Sequence, residues 1–147
     1  MTFADNVQEL LHRAFIGARN AGHATVTPEH IALELIRETE TAAYLSRRGT
    51  NLSLAESKLR QHLDGVELLS GNDLETKSTA AFQRVIQTAI QQTQADHREY
   101  LVLRDLFLAV LDEQSSVASA AILEATDEPR VFEELRTYRF ERERGAV

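Results

Sequence analysis

The sequence predicts an all-α fold: a duplicated four-helix repeat forming a pseudo-twofold eight-helix bundle. Three observations predict it. Apolar residues recur at i, i+3, i+4 and i+7 through most of the chain, which is the spacing of helices with one buried face. The chain has only six glycines and two prolines, too few for a turn-dense all-β protein. The second half also repeats the first at a constant offset of 75 residues, so that Val7, Leu10, Leu11, Ala14 and Phe15 correspond to Phe82, Val85, Ile86, Ala89 and Ile90. The match continues with Val26 and Leu101, and with Ile31, Leu33, Leu35 and Ile36 against Leu106, Leu108, Val110 and Leu111. Past Glu38 and Glu113 the register slips by about two residues. Helices striped in this way bury their apolar faces when two copies pack together.

In chain order, the first copy is expected to place helices at roughly 4–21, 28–37, 40–48 and 53–64, and the second at roughly 79–95, 103–113, 116–125 and 128–137. Thr27 and Pro28 read as a helix start: a threonine N-cap followed by a proline that gives up an N–H with no helical partner. Asn51 or Ser53 is expected to cap the fourth helix and Asp127 the eighth. Gly49 and Gly65 stand where helix C-termini favour a left-handed residue. Residues 1–147 are expected to form one domain of two repeats, about 4–65 and 79–137. Between them lies a polar connector, 66–78, with Ser70 to Lys77 expected to be mobile, and a charged exit tail, 138–147, follows. Phe132, Tyr138 and Phe140, and the Leu68–Leu69 pair, are expected to pack back on the core rather than form a docking patch.

Composition excludes several classes. The net charge is −7, and lysines and arginines are scattered, so nucleic-acid binding has poor electrostatics. There is no cysteine, which removes disulfides, thiol catalysis and thiolate metal sites and fits a reducing compartment. The start of the chain has no signal-peptide pattern, and no apolar run approaches the ~18 residues of a membrane span, so the expectation is a cytoplasmic protein. No glycine-rich loop precedes a lysine, so the chain lacks the phosphate cradle of P-loop ATPases. Gly-x-Ser-x-Gly is also absent, and paired carboxylates such as Glu133–Glu134 read as solvated helix faces. No cofactor is implied.

One stretch stands apart. In "TVTPEHIALELI", Glu29 lies in the first helical turn, where the helix dipole favours a carboxylate and side chains often stay exposed. His30 reads either as a packed, hydrogen-bonded imidazole or as part of a site. The run Ile31, Leu33, Leu35 and Ile36 makes this helix central to its domain.

The set Ala14, Phe15, Ala18, Arg19, His23, Val26, Thr27, Glu29, His30, Ile31, Leu33, Leu35 and Ile36 resembles the first repeat of the Clp N-terminal domain. The second repeat, from "FQRVIQ" to Glu113-Gln114-Ser115, is similar to that of the ClpA branch, and the resemblance covers about residues 5–136. It implies a non-catalytic module at the front of an ATP-driven unfoldase that takes part in proteolysis and stress response. Its implied partners are an adaptor protein or unfolded or tagged substrates, and it would work with Clp ATPase modules in cis or in trans, the isolated domain being a monomer. The implied contact region is the first-repeat loop and helix start, with Glu29 as anchor and His23, Thr25, Thr27 and His30 around it. In some relatives the equivalent glutamates of both repeats receive phosphorylated arginine. Here Arg104 replaces the second of them, and a guanidinium does not pair with a guanidinium. Ala24 also stands where ClpA-type domains often carry an acid. Two other readings are a free-standing Clp-N-like adaptor or competitor, and a small metal-binding helical enzyme using His23, Glu29 and His30.

Overall fold

The structure, a computed structural model, describes residues 1–72 and 75–136, without the side chains of residues 131 and 134–136. The chain begins with a short strand β1 (Thr2–Phe3) and helix α1 (Asp5–Asn20). Strand β2 (Thr25–Val26) leads into α2 (Pro28–Arg37), α3 (Thr39–Arg47) and α4 (Leu52–Leu63). The second copy runs β3 (Lys77–Ser78), α5 (Ala80–Ala95), β4 (Tyr100–Leu101), α6 (Leu103–Asp112) and α7 (Ala118–Glu124), and ends in a 3-10 segment, Pro129–Arg136. The expected eighth α-helix is thus a 3-10 segment, in which Phe132 packs edge-on against Phe107 at 5.7 Å. The exit tail, Tyr138 and Phe140 lie outside the described residues.

The duplication is visible bond by bond. β1 pairs in parallel with β4 (Thr2 with Tyr100, Phe3 with Leu101), and β2 with β3 (Thr25 with Lys77, Val26 with Ser78). Moving every residue by 75 positions converts one pairing into the other. The amide of Ala4 bonds the Leu101 carbonyl at 2.9 Å, and its counterpart Thr79 bonds the Val26 carbonyl at 3.1 Å. Where the two copies meet near the pseudo-axis, Asn51 N–H donates to Ala125 O and Asp127 N–H to Gly49 O, at 2.7 and 3.2 Å. Between those bonds the hydroxyls of Thr50 and Thr126 meet at 2.8 Å, both side chains being buried. Each copy therefore completes the other's backbone bonding as well as its core. The register slip arises in the Gln114–Val117 loop, which separates α6 from a shortened α7; in the first copy Glu38 ends α2 and caps α3 directly.

The two helices α2 and α6 lie at the centre. Ile31, Ala32, Leu35 and Ile36 of α2 and residues 103–110 of α6 are buried, α2 packing on α1, α3, α4 and α6. Asn51 caps α4 through its side-chain oxygen, as expected. Gly49 has φ +86, but Gly65 has no positive φ and the left-handed turns sit instead at Gly22 (φ +75) and Gly71. At the counterpart of Gly22 the second copy has His97, held at φ +56. The connector is hydrogen-bonded to the first copy on both sides. Leu69 N–H donates to Gly22 O at 2.8 Å, Thr76 is buried with its hydroxyl on His23 O at 2.7 Å, and Lys77 is in β3. Leu68, expected to pack back, is 59% exposed. No helix among the described residues is long and apolar enough to cross a membrane.

Candidate functional site

The start of α2 is organised by its third residue. Thr27 N–H donates to His30 Nδ1 at 2.9 Å, and the Thr27 hydroxyl lies 2.9 Å from the same atom. The helix is therefore capped by the imidazole reaching back, and the threonine hydroxyl serves the ring rather than a backbone N–H. With Nδ1 accepting, neutral His30 carries its proton on Nε2, which donates to His23 Nδ1 at 2.8 Å. Burial, then the neighbouring His23 and His62 imidazoles, lower the His30 pKa to about 4, so the ring is neutral near pH 7.

The second copy builds the same corner from charges. Asp105, the counterpart of His30, accepts Val102 N–H at 2.9 Å. It is gripped by Arg98, the counterpart of His23, through Nη1 at 2.9 Å and through Nη2. These bonds raise the pKa of Arg98. Arg104, the counterpart of Glu29, is buried with its Nη2 3.8 Å from Asp96 and 3.5 Å from Asp105.

Glu29 departs from expectation. Its residue exposure is 4%, not that of an exposed tip. The cause is long-range: α4 packs over α2, and His62 in its last turn places Nε2 2.9 Å from Glu29 Oε1. Oε2 is buried with no hydrogen-bond partner among the described residues. His62 itself remains 40% exposed at its side chain. It was absent from the sequence-based set, because nothing local links residue 62 to residue 29. Thr27 and His30 are buried as well, whereas His23 and Thr25 are half-buried, Thr25 with its backbone committed to β2.

The structure thus joins His23 to His30 and Thr27 to His30, but sends Glu29 to His62. The metal-enzyme reading needs His23, Glu29 and His30 to converge, and they do not. The facing nitrogens of the two imidazoles bond each other, and among the described residues no group of three or more potential ligands could hold a metal ion. Beside this corner, a cleft of about 250 Å³ opens between α1, α2 and α4, with His23 and His30 in its wall.

A duplicated helical domain with two copies exchanging parallel strand pairs, and one asymmetric helix start, defines the class of protein. The chain belongs to the Clp repeat (R) N-terminal domain family, whose model matches residues 2–125. It is 28% identical over 121 residues to a ClpA homolog protein of Fuscovulum blasticum, covering 80% of this chain and 15% of that one. It is 28% identical over 109 residues to the chaperone protein ClpB of Chlamydia pneumoniae, covering 73% of this chain and 13% of that protein. The chain therefore spans under a sixth of these relatives' length. Its fold matches the N-terminal domain of Hsp104 from Candida albicans at a TM-score of 0.81 with 19% identity, over 100% of this chain and 94% of that one. The N-terminal domain of the ClpV1 ATPase from E. coli matches at 0.72 with 14% identity, over 95% and 88%.

Proposed function

We propose that this domain is the recognition module of a Clp-type ATP-dependent unfoldase, binding adaptor proteins or unfolded or tagged substrate segments without catalysing a reaction on them. The observation that carries this reading is the asymmetry between the copies. In the second, Arg98, Arg104, Asp96 and Asp105 pair as fixed opposite charges, although Nε of Arg98 is itself buried without a hydrogen bond among the described residues. In the first, Glu29 meets the half-exposed His62 imidazole through Oε1, and among the described residues its Oε2 has no hydrogen-bond partner. An unpaired buried acceptor costs about 1–3 kcal/mol, so a donor brought by a partner has that much to relieve. A partner reaches it by displacing His62, beside the half-buried His23 and Thr25. Family membership supports the same reading.

The test is calorimetric binding of a permanently unfolded, reduced and alkylated polypeptide to the wild type and to Glu29→Gln. The amide keeps the size of the side chain and removes its charge, so the fold is retained while binding weakens by about fivefold or more. Unchanged affinity would take Glu29 out of the contact. Glu29→Arg is not a usable probe, because the side chain is internal. The acids that accommodate Arg104 have Ala21 and His30 as first-copy counterparts, so a guanidinium at position 29 would be buried without a carboxylate.

A further inference from the structure

The Glu29 carboxylate lies behind the half-exposed ring of His62. The Glu29 side chain is 5% exposed, whereas the His62 side chain that meets it at 2.9 Å is 40% exposed. Glu29 belongs to the first turn of α2 and His62 to the last turn of α4, and the two helices pack against each other. The helices therefore set the position of the carboxylate, while the imidazole stands between it and water. Beside that imidazole a groove of about 400 Å³ opens between α4 and α7, lined by Lys58, Gln61, His62, Val117, Ala120 and Glu124. Its α7 wall carries small or compact apolar groups, so the groove has room for an imidazole ring turned away from Glu29. The cleft between α1, α2 and α4 is lined by neither Glu29 nor His62.

The contact changes strength with protonation. An ionised carboxylate only accepts, so Nε2 of His62 carries a proton whether the ring is neutral or cationic. A second proton on Nδ1 adds a full charge opposite the carboxylate, and burial of Glu29 limits the screening of that attraction. Histidine is the side chain whose ordinary titration lies between pH 5 and 8. From α2 the ring is faced by Glu29 and His30, and from α7 by Glu124, which Lys58 of α4 holds at 3.5 Å. No residue of α3 lines the groove. Burial, then His23 and His62, lower the His30 pKa to about 4, so His30 stays neutral while an ordinary imidazole titrates. The second copy has no histidine in the matching pairing, since Arg104 lies against Asp96 and Asp105.

We propose that His62 is a pH-set latch on the Glu29 contact: as a cation it holds the carboxylate closed, and as a neutral ring it swings into the groove between α4 and α7 and admits a donor from the bound polypeptide. This rests on the recognition reading above and adds the regulation of the same carboxylate. The direction follows from the charges. Protonation strengthens the bond that a partner has to break, so polypeptide binding weakens as pH falls through the imidazole range. The latch needs no movement of either helix, because the ring alone leaves Glu29 and the space that receives it is already open.

The experiment is calorimetry of the intact chain with the reduced, alkylated unfolded polypeptide, at about pH 7.5 and about pH 5.5. His62→Gln has no titrating ring but keeps an N–H for Oε1, and it cancels any titration of the polypeptide itself. Relative to that variant, wild-type affinity falls by about threefold to fivefold at the lower pH. His62→Lys, charged at both pH values, binds at the higher pH about as weakly as the wild type does at the lower. Without polypeptide, the Glu29 side-chain carboxyl carbon, followed by NMR, shifts between the two pH values in the wild type and stays in place in His62→Gln. Equal pH dependence of binding in the wild type and His62→Gln, with Glu29→Gln still weakening binding, overturns the latch alone. A carboxyl signal that moves equally in both proteins does the same. Unchanged affinity in Glu29→Gln overturns the contact and the latch with it.

Discussion

At the scale of single residues, one imidazole carries a pH dependence that its counterpart in the other copy does not share. His30 is neutral in the fold, with its pKa lowered from 6.5 to about 4 by burial and by His23 and His62. Below pH 6.5 the unfolded chain takes up the proton first. The stabilising contribution is therefore fully present above pH 6.5 and is lost as pH falls towards 4. Urea unfolding is expected to show a loss of roughly 1–2 kcal/mol between pH 7.5 and pH 5. The double variant His23→Arg with His30→Asp, which transplants the Arg98–Asp105 pair, is expected to remove most of that slope; an unchanged slope would place its origin elsewhere. The burial of His30 was one of two readings that the sequence left open. The burial of Glu29 ran against expectation, since the helix dipole explains why an acid stands in a first turn but not what crosses over it. That depended on α4 folding across residues more than thirty positions earlier.

At the scale of elements, helix periodicity located the seven α-helices of the described residues to within a few residues, because each buries an apolar stripe against a central helix. The four strands among the described residues went unread. Each is two residues long, and each pairs with a segment far away in the chain, so no local alternation exists to be seen. Two substitutions follow from element geometry. Gly17→Ala places a methyl group in open space in mid-helix and is expected to stabilise the chain by about 0.5–1 kcal/mol, seen as a higher melting temperature. His97→Gly relieves a left-handed residue where the first copy already has Gly22, and is expected to gain up to about 1 kcal/mol by the same measurement. A loss of stability in the second variant would mean that the His97 side chain contributes more than its backbone costs.

At the scale of the whole molecule, duplication joins the two copies in one core, and the copies differ in charge at one corner. The copies share a hydrophobic core and exchange strands, and the Thr50–Thr126 hydroxyl contact lies between two symmetric backbone bonds. Because Thr126 donates to Ile122 O at 2.8 Å, Thr50 is the donor in the contact. Thr50→Val is therefore expected to cost about 1 kcal/mol in denaturant unfolding, with no change in secondary structure. This level was the most legible from sequence, since a constant offset across five apolar positions survives where individual contacts do not. The charge asymmetry was only half legible. The exchange of Glu29 for Arg104 could be read directly, but the partners, acidic groups around Arg104 and the His62 imidazole at Glu29, could not. The most direct measurement of the central claim is a heteronuclear NMR titration of the labelled chain with the reduced, alkylated unfolded polypeptide. The account predicts shift changes centred on the first copy, at His23, Thr25, Glu29 and His62. Changes confined to Arg98, Arg104 and Asp105 of the second copy, or none at saturating polypeptide, would contradict it.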